Sequence, residues 1–512
     1  MFLRRHSVHP KLPAVPLVVA LASVALHLVT AGRYGIFRDE FYYWDCANHL
    51  AWGYVDHPPL SIAILAAWKS IFGSSLISLR ILPALAGGVL ILLVSRLTAR
   101  MGGGPLAQGL AALLTFAVPS YLGITGVYSM NAYELLFWAI GFLVVVDILE
   151  NGRTASWIAF GVCVGLGMQN KISVGVFAAA AGLAIVGATR LRAVRTAGPV
   201  LAMSIAVLLF APHVVWQLIN DWPTREFIEN AQRDKMTAMN PFAFLGGVAM
   251  EVSPLLVPIY LGGLAALLFH PTLRRFRPLA WTFLVALAIF MLNRSKPYYT
   301  VAAFPPLIAA SVVWIEAAAR RPRLRWLAPL IATYAVTSFA ITAPFAIPLL
   351  PVEKFLDYQR AIGIRPSSGE NRDRAELPQF FADRFGWQEL AAQVAGVFDA
   401  LSPDDRAACL IVADNYGEAG AINYFGARYG LPRAASQHNS YYLWGPGRDD
   451  PKVYVIVGQE KDDLDATFDD VHEVARTNAR FAMPDEVGVP IWICRGIKMP
   501  LEQAWRRGRM FI

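Results

Sequence analysis

Cysteine is scarce in this chain: four residues in 512, with no C-x-x-C pair. That argues against a disulfide-built scaffold and leaves no thiolate set for a zinc or iron–sulfur centre. Charge is thin as well. Asp, Glu, Lys and Arg make up 16% of the residues, against about 25% in soluble domains, which argues against a wholly soluble protein. Neither G-x-G-x-x-G nor G-x-x-x-x-G-K-S/T occurs, so no nucleotide cofactor is assigned. There is no repeat of solenoid length, no low-complexity tract and no pair of matching halves. The last of these speaks against a transporter built from repeats.

What the chain has in abundance is apolar length. Hydrophobic residues make up 56% and the mean hydropathy is +0.44. The basic start MFLRRHSVHPK precedes an apolar run over 12–31, long enough for the about 20 residues a bilayer demands and read as an uncleaved first span. Further runs at 80–98, 105–119, 133–149, 155–170, 172–189, 197–219, 244–269, 278–292, 299–317 and 326–350 bring the count to about eleven. Charge then orients them. Arg4/Arg5/Lys11, Arg96/Arg100, Arg153, Arg190/Arg192/Arg195, Arg274/Arg275/Arg277 and Arg320/Arg321/Arg323/Arg325 fall on alternate connections, the pattern of cytoplasmic loops. Acids gather on the others, among them Asp39, Glu40, Asp45, Asp56, Asp221, Glu226 and Glu251. This predicts a multi-pass protein of the inner or plasma membrane with a cytoplasmic amino terminus. It also accounts for a pI near 9.3 without nucleic acid. The alternation requires that 58–73, which contains Lys69, does not cross. The first external loop then spans 32–79.

Residues 1–350 carry 26 basic and 13 acidic side chains and residues 351–512 carry 19 and 24. The tail also loses the long apolar runs. Helices are expected over 386–401 and 416–429 and strands over 409–413, 453–458 and 491–494, a small α/β domain outside the membrane. Asp414 or Asn415 is placed to cap the second helix. Cys409 and Cys494 both fall in strands, and a disulfide between them is left open because spacing alone does not decide pairing. His438, in HNSYYLWGPG, sits in a loop suited to touching a ligand or to packing.

The densest chemistry lies in RDEFYYWDCANHLAWGYVDHPPL, residues 38–60. Were 38–50 helical, Asp39, Tyr43 and Cys46 would share a face and Glu40 would turn about 100° away. One carboxylate could then face a cavity while its neighbour anchors the loop. Asp56 and His57 follow, ahead of two prolines that keep the backbone extended. Carboxylate and imidazole are ordinary divalent-metal ligands, and His213 is a distant third candidate. Basic residues near the external ends of spans form another group: Lys171, Arg225, Arg294 and Lys296, the last followed by Pro297, Tyr298 and Tyr299. A phosphate at the membrane surface would give them a partner. Lys69 and Arg80 are read as snorkelling toward headgroups.

Taken together, D-E-x-x-Y in the first loop, G-Y-x-D-H-P-P-L after it, RILPAL at the next span, then GLGMQNKISV, PHVVWQLINDWP, SKPYYTVAAFPPL and DNYGEAGAINYFG resemble the GT-C glycosyltransferases. Within them the likeness is to the GT39-like set of protein O-mannosyltransferases and lipid A aminoarabinose transferases. The resemblance implies a GT-C helical membrane domain over 1–350, with the loop 32–79 catalytic, and an extracytoplasmic α/β domain over 351–512. It implies transfer of a sugar from a polyprenyl-phosphate carrier to a glycan, lipid or protein acceptor, with inversion. Asp39 would be the general base or the carboxylate that positions the acceptor hydroxyl, with Glu40 supporting the loop. Lys296, Arg294, Arg225, Lys171 and Tyr298 would hold the donor phosphate, and Tyr43, His57 and His438 would line the acceptor side. Asp56 and His57 stand where the lipid A transferases have Glu-Lys, and a metal on Asp56 and His213 is the one cofactor considered. Two other readings compete: a flippase for a lipid-linked sugar, and a membrane-anchored binding protein whose tail does the work.

Overall fold

The computed structural model describes residues 13–190, 192, 195–236, 239–364 and 373–512. Arg4, Arg5 and Lys11 of the basic start lie outside these residues. The chain divides into two compact units: Met1–Ala31, Arg80–Phe210 and Met239–Leu349 form one, and Gly32–Leu79, Ala211–Ala238 and Leu350–Ile512 form the other.

Helices build the first unit. Among the described residues five helices are long and apolar enough to cross a bilayer: Leu76–Arg100, Met130–Asn151, Ala197–Ile219, Pro271–Leu292 and Pro322–Ala346. Two more runs are bent pairs, Pro105–Phe116 with Pro119–Thr125 at 67° and Pro297–Ala303 with Pro305–Ala319 at 52°. Proline opens the second member of each pair, at the helix position that needs no N–H donor. Ala14–Thr30, Val174–Ala188, Pro241–Glu251 and Val257–Phe269 are shorter apolar helices. The run 244–269 is thus two helices instead of one span, because Ser253 between them takes a left-handed φ of 73°. Val18, Val29, Leu208, Phe242 and Leu292 are all more than half exposed. An apolar surface on this scale is stable only where lipid covers it.

Between helices the contacts use small residues. Gly161 and Gly165 of the Thr154–Asn170 helix face Ala202, Ala206 and Leu209 of the Ala197–Ile219 helix, and a Cβ at Gly165 would come within 2.8 Å of Leu209. This is the close backbone approach that small-xxx-small spacing allows in a membrane. At one end of the unit Arg100 pairs with Asp147 at 2.5 Å and Glu150 at 2.8 Å, and Arg275 stands 3.9 Å from Glu150. Glu316 accepts the Gly104 N–H at 2.7 Å. Connections carrying three of the basic clusters therefore meet at a common end. Met130–Asn151 runs the other way for about 33 Å, which puts Glu134 and its partner Lys171 toward the opposite end. Arg80 does not snorkel. It is buried and donates to Ala31 O at 2.5 Å, where the Ala14–Thr30 helix ends.

The second unit holds a five-stranded sheet in the order β2-β1-β3-β5-β4. Its strands are β1 Cys409–Ala413, β2 Ala434–Ser436, β3 Val453–Val457, β4 Phe468–Arg476 and β5 Pro490–Ile497. β1 lies parallel to β2 and β3, while β5 is antiparallel to β3 and β4. Three strands were expected from the sequence; β2 and β4 were not. β2 is only three residues long, and β4 alternates charge too heavily to read as a buried run. Central β1 and β3 are buried at every position, which is why they read as unbroken apolar stretches. The helix Trp387–Asp399 and the helix Tyr416–Gly426 fall where periodicity predicts them. Asn415 caps the second, accepting the Gly417 and Glu418 N–H groups.

A Cys409–Cys494 bridge is ruled out. Cys409 is level with Val453 and Cys494 with Tyr454, so β3 runs between them. Two strand spacings amount to about 9.6 Å, beyond the about 7 Å a disulfide spans. Both thiols are free and buried.

Candidate active site

The first loop folds into a helix, Arg38–Cys46, that packs on the Tyr416–Gly426 helix of the same unit. Two glycines of the latter make room: a Cβ at Gly420 would meet Phe41 Cβ at 2.6 Å, and one at Gly417 would meet Arg38 Cγ at 2.5 Å. The two carboxylates at the start of the Arg38–Cys46 helix then part. Glu40 is wholly buried and accepts the Phe37 N–H at 2.9 Å, capping its own helix. Asp39 keeps 38% of its side chain exposed. Its Oδ1 accepts the Tyr416 hydroxyl at 2.8 Å and stands 3.7 Å from Arg38 Nε. Arg38 also faces Asp383 at 3.8 Å and lies 5.4 Å over the Tyr416 ring.

Further along the same helix, Tyr42 donates to Asp56 Oδ1 at 2.8 Å and lies 2.7 Å from Ser440 Oγ. Burial, and then the Asp56 charge, push the Tyr42 phenol well above its ordinary value. The rings of Tyr42 and Tyr416 are 5.0 Å apart, so two tyrosine–carboxylate pairs stand back to back. Asp45 at the far end is fully buried and takes Tyr441 Oη, Asn423 Nδ2 at 2.7 Å and Arg433 Nη2 at 2.7 Å. Lys69 donates to Asn48 Oδ1 at 2.5 Å and lies 4.9 Å over the Trp44 ring, so it too is held by protein and does not snorkel.

Three residues expected on the acceptor side are enclosed. Tyr43 is buried and stacks on the His57 ring at 4.8 Å and 11°. His57 is itself fully buried, with Tyr54 at 4.9 Å. Its Nδ1 faces Pro58 O at 3.1 Å, and Nε2 has no hydrogen-bond partner among the described residues, Asp56 Oδ1 being 3.9 Å away. Proline's backbone and three tyrosines seal the imidazole from any phosphate in this conformation. His438 receives the Tyr416 N–H on Nδ1 at 3.4 Å and donates from Nε2 to Ile512 O at 2.8 Å. Burial holds its imidazole down to about 3. Both nitrogens are engaged inward by protein groups.

The metal expectation finds no coordination set. Among the described residues no group of three His, Cys, Asp or Glu side chains is arranged to hold a metal. Asp56 is engaged by Tyr42, while His213 sets Nδ1 against Trp52 O at 3.2 Å and Nε2 against Gln217 Nε2 at 3.4 Å.

In the first unit, Lys171 is buried in a polar group that neutralises it. It donates to Glu134 at 2.7 Å and Asn131 at 2.8 Å and lies 4.2 Å over the Tyr299 ring and 5.5 Å over Tyr298. Ser173 donates to the same carboxylate. Arg294, at a left-handed φ of 53°, is exposed, and Lys296 is half-buried. Arg225 belongs to the second unit, 77% exposed and paired with Glu229 at 2.8 Å. The sequence reading missed Glu134, Asn131, Tyr42, Ser440 and Tyr416. Each is a neutral or compensating partner, and only a tertiary contact reveals it. DNYGEAG was singled out, but with no role for its tyrosine.

Comparison with known proteins agrees with the resemblance. The family described as dolichyl-phosphate-mannose-protein mannosyltransferase matches residues 56–216. An undecaprenyl phosphate-alpha-4-amino-4-deoxy-L-arabinose arabinosyl transferase of Pseudomonas savastanoi is 25% identical over 132 residues, 25% of each chain. The lipid A galacturonosyltransferase RgtD of Rhizobium johnstonii is 27% identical over 189 residues, 36% of this chain and 39% of that one. The chain thus spans between a quarter and two-fifths of the length of these relatives. In three dimensions it is similar to ArnT from Cupriavidus metallidurans, with TM-score 0.60 in the apo state at 14% identity, covering 94% of this chain and 97% of that one. Against the same protein bound to undecaprenyl phosphate the TM-score is 0.58 at 15% identity, with the same coverage of both chains. The fold is similar to that of ArnT: a helical membrane protein with a small sheet domain at its carboxyl end.

Proposed function

We propose that the chain is an integral-membrane glycosyltransferase that moves a sugar from a polyprenyl-phosphate donor to an extracytoplasmic acceptor, an envelope glycolipid of the lipid A kind being favoured. The observation that carries it is the parting of two adjacent carboxylates. Glu40 is buried and used up in capping, while Asp39 is oriented by a phenol and half open to solvent. A base that must meet a hydroxyl from outside needs this combination of fixed direction and access. The donor class and acceptor are supported by what the relatives are named for and by the undecaprenyl phosphate bound to ArnT. No relative named above is a transporter, and the flippase reading is set aside.

In the proposed step the acceptor hydroxyl oxygen attacks the anomeric carbon as its proton passes to Asp39. The bond from that carbon to the phosphate oxygen breaks, and the phosphate leaves with the electron pair. One displacement inverts the carbon. Positive charge stabilises the leaving phosphate, with Arg294, Lys296 and Arg225 as the proposed sources and Tyr298 as a wall. Lys171, already matched by Glu134, serves better to shape the polar group around Tyr299. A divalent cation would have to draw part of its coordination from the donor's own phosphate, and no step is assigned to it. We place the amino terminus in the cytoplasm and the tail outside, from the alternation of basic loops. The catalytic domain is proposed to be residues 1–350 with the loop 32–79, and the tail 351–512 to be extracytoplasmic.

The test is mass spectrometry of envelope glycolipids from a deletion strain carrying the wild-type chain or Asp39→Asn. Wild type should restore a mass increment of one sugar, and Asp39→Asn should insert normally and restore none. Restoration by Asp39→Asn would remove Asp39 as the base.

A further inference from the structure

Asp39 has one oxygen spoken for and one to spare. Oδ1 takes the Tyr416 hydroxyl at 2.8 Å and the neighbouring Arg38 Nε at 3.7 Å. Oδ2 has no partner among the described residues, in a side chain 38% exposed. Tyr416 itself is buried. It is the first residue of its helix, entered through the Asn415 cap. Its ring is boxed by Tyr42 at 5.0 Å, by the Arg38 guanidinium at 5.4 Å and by the His438 ring at 4.8 Å.

His438 is an unusually firm prop. Because Nδ1 accepts the Tyr416 N–H, its proton must sit on Nε2, where it is donated to Ile512 O. Asn439 fixes the same terminal residue from the other side, exchanging bonds with Ile512 at 3.1 Å and 3.0 Å. One tautomer is therefore selected. The ring stays uncharged across the working range, which leaves it a steric support.

We propose that Tyr416 is the positioning residue of Asp39: its phenol takes Oδ1, so that Oδ2 is the oxygen aimed outward to receive the acceptor proton, and His438 holds the phenol in place. This rests on the reading of Asp39 as the base and adds a residue from a distant part of the chain to it. The charged group beside Asp39 is Arg38 on its own helix, which also faces Asp383; Lys235 and Arg38 both act on His438. Lys69, on the neighbouring Leu60–Phe72 helix, belongs to the Asp45 end.

The experiment uses the full chain in membranes of the deletion strain. The polyprenyl-phosphate lipid pool extracted from that strain is the donor, its envelope is the acceptor, and the mass-shifted glycolipid is the readout. Tyr416→Phe keeps the ring and loses the donor. It should lower the maximal rate about ten- to a hundredfold, the size of a lost bond to a charged group. The donor concentration at half-saturation should stay put. Incorporating 3,5-difluorotyrosine at 416, which keeps the donor and nearly the same shape, should leave the maximal rate near that of wild type. An unchanged rate in Tyr416→Phe, a loss confined to donor half-saturation, or a fluorinated phenol as slow as Tyr416→Phe overturns the proposal. Asp39→Asn run alongside separates the two readings. If it transfers at the wild-type rate the base assignment fails. If it is dead while Tyr416→Phe is normal, only the positioning role fails.

Discussion

Asp45→Ala tests how the Arg38–Cys46 helix is held. The substitution takes a fully buried carboxylate away from Tyr441 Oη, Asn423 Nδ2, Arg433 Nη2 and, at 3.3 Å, Asn48 Nδ2. The Tyr441 hydroxyl is stranded where water does not reach, at a cost of about 1–3 kcal/mol. Asn423 retains Ala434 O at 3.2 Å and loses the stronger, charge-assisted bond, worth about 1.5–3 kcal/mol. Arg433 is 54% exposed and rehydrates, so its share is under about 1 kcal/mol. Removing the carboxylate also removes its own desolvation, which offsets part of the sum. A net loss of about 3 kcal/mol is expected, near 10 °C in the melting temperature of a unit this size, at about 2–4 °C per kcal/mol. The assay is thermal challenge of the detergent-solubilised full chain, with recovery of the monodisperse peak by size exclusion. Arg433→Ala should shift it by less than a third as much, and Asp39→Asn hardly at all. An Asp45→Ala protein within about 2 °C of wild type, or an Arg433→Ala as costly as it, would refute the account of buried bonds as the anchor.

The remaining expectations concern separate parts of the molecule. His438, held down to about 3 by burial against an ordinary value of 6.5, contributes stability that is complete above pH 6.5 and declines as pH falls below it. By pH 5 the loss is about 2 kcal/mol, and His438→Gln should flatten that slope in thermal scans. Glu418, raised by burial and then by Glu486 and Asp414, acts in the opposite sense: its protonated form is favoured in the fold, so its contribution is lost as pH rises above about 4.5, and Glu418→Gln should remove that loss. Intact mass after alkylation under denaturing, non-reducing conditions should show Cys409 and Cys494 both modified; a species two hydrogens lighter would contradict the strand order. Gly263→Val should cut membrane accumulation, since a Cβ there would sit 2.1 Å from Leu307 O and overpacking costs about 1–3 kcal/mol. Lys171→Met should accumulate poorly because it strands the buried Glu134 charge, and adding Glu134→Gln should restore much of the level.

Residue periodicity was a reliable guide where one physical effect dominated. The long apolar runs, the basic connections and the buried strands β1 and β3 each follow from burial or solvation of single segments. The 244–269 run misled because a composition window does not register the backbone turn at Ser253. β4 escaped because an edge strand carrying Asp469, Asp470, Glu473 and Arg476 looks solvated on both faces. In the first loop, helical phase correctly separated Asp39 from Glu40, since the side-chain directions of a helix follow from its pitch. The same phase put Tyr43 on the reactive face, yet the structure turns it against His57, a contact no spacing encodes.

By itself, the sequence determined that the chain is a multi-span membrane protein with a charged first loop and an α/β pattern in its tail, because hydropathy and charge act locally along the chain. Only the tertiary structure decided which charges are free to act. Lys171 and Asp45 are matched by Glu134 and by Tyr441, Asn423 and Arg433, and His57 is walled in by tyrosines. Asp39 is left oriented and open by a phenol 377 residues further along the chain. The reason is energetic. In a buried setting a charge persists only with partners, and those partners come from wherever the fold brings them, not from the neighbouring sequence.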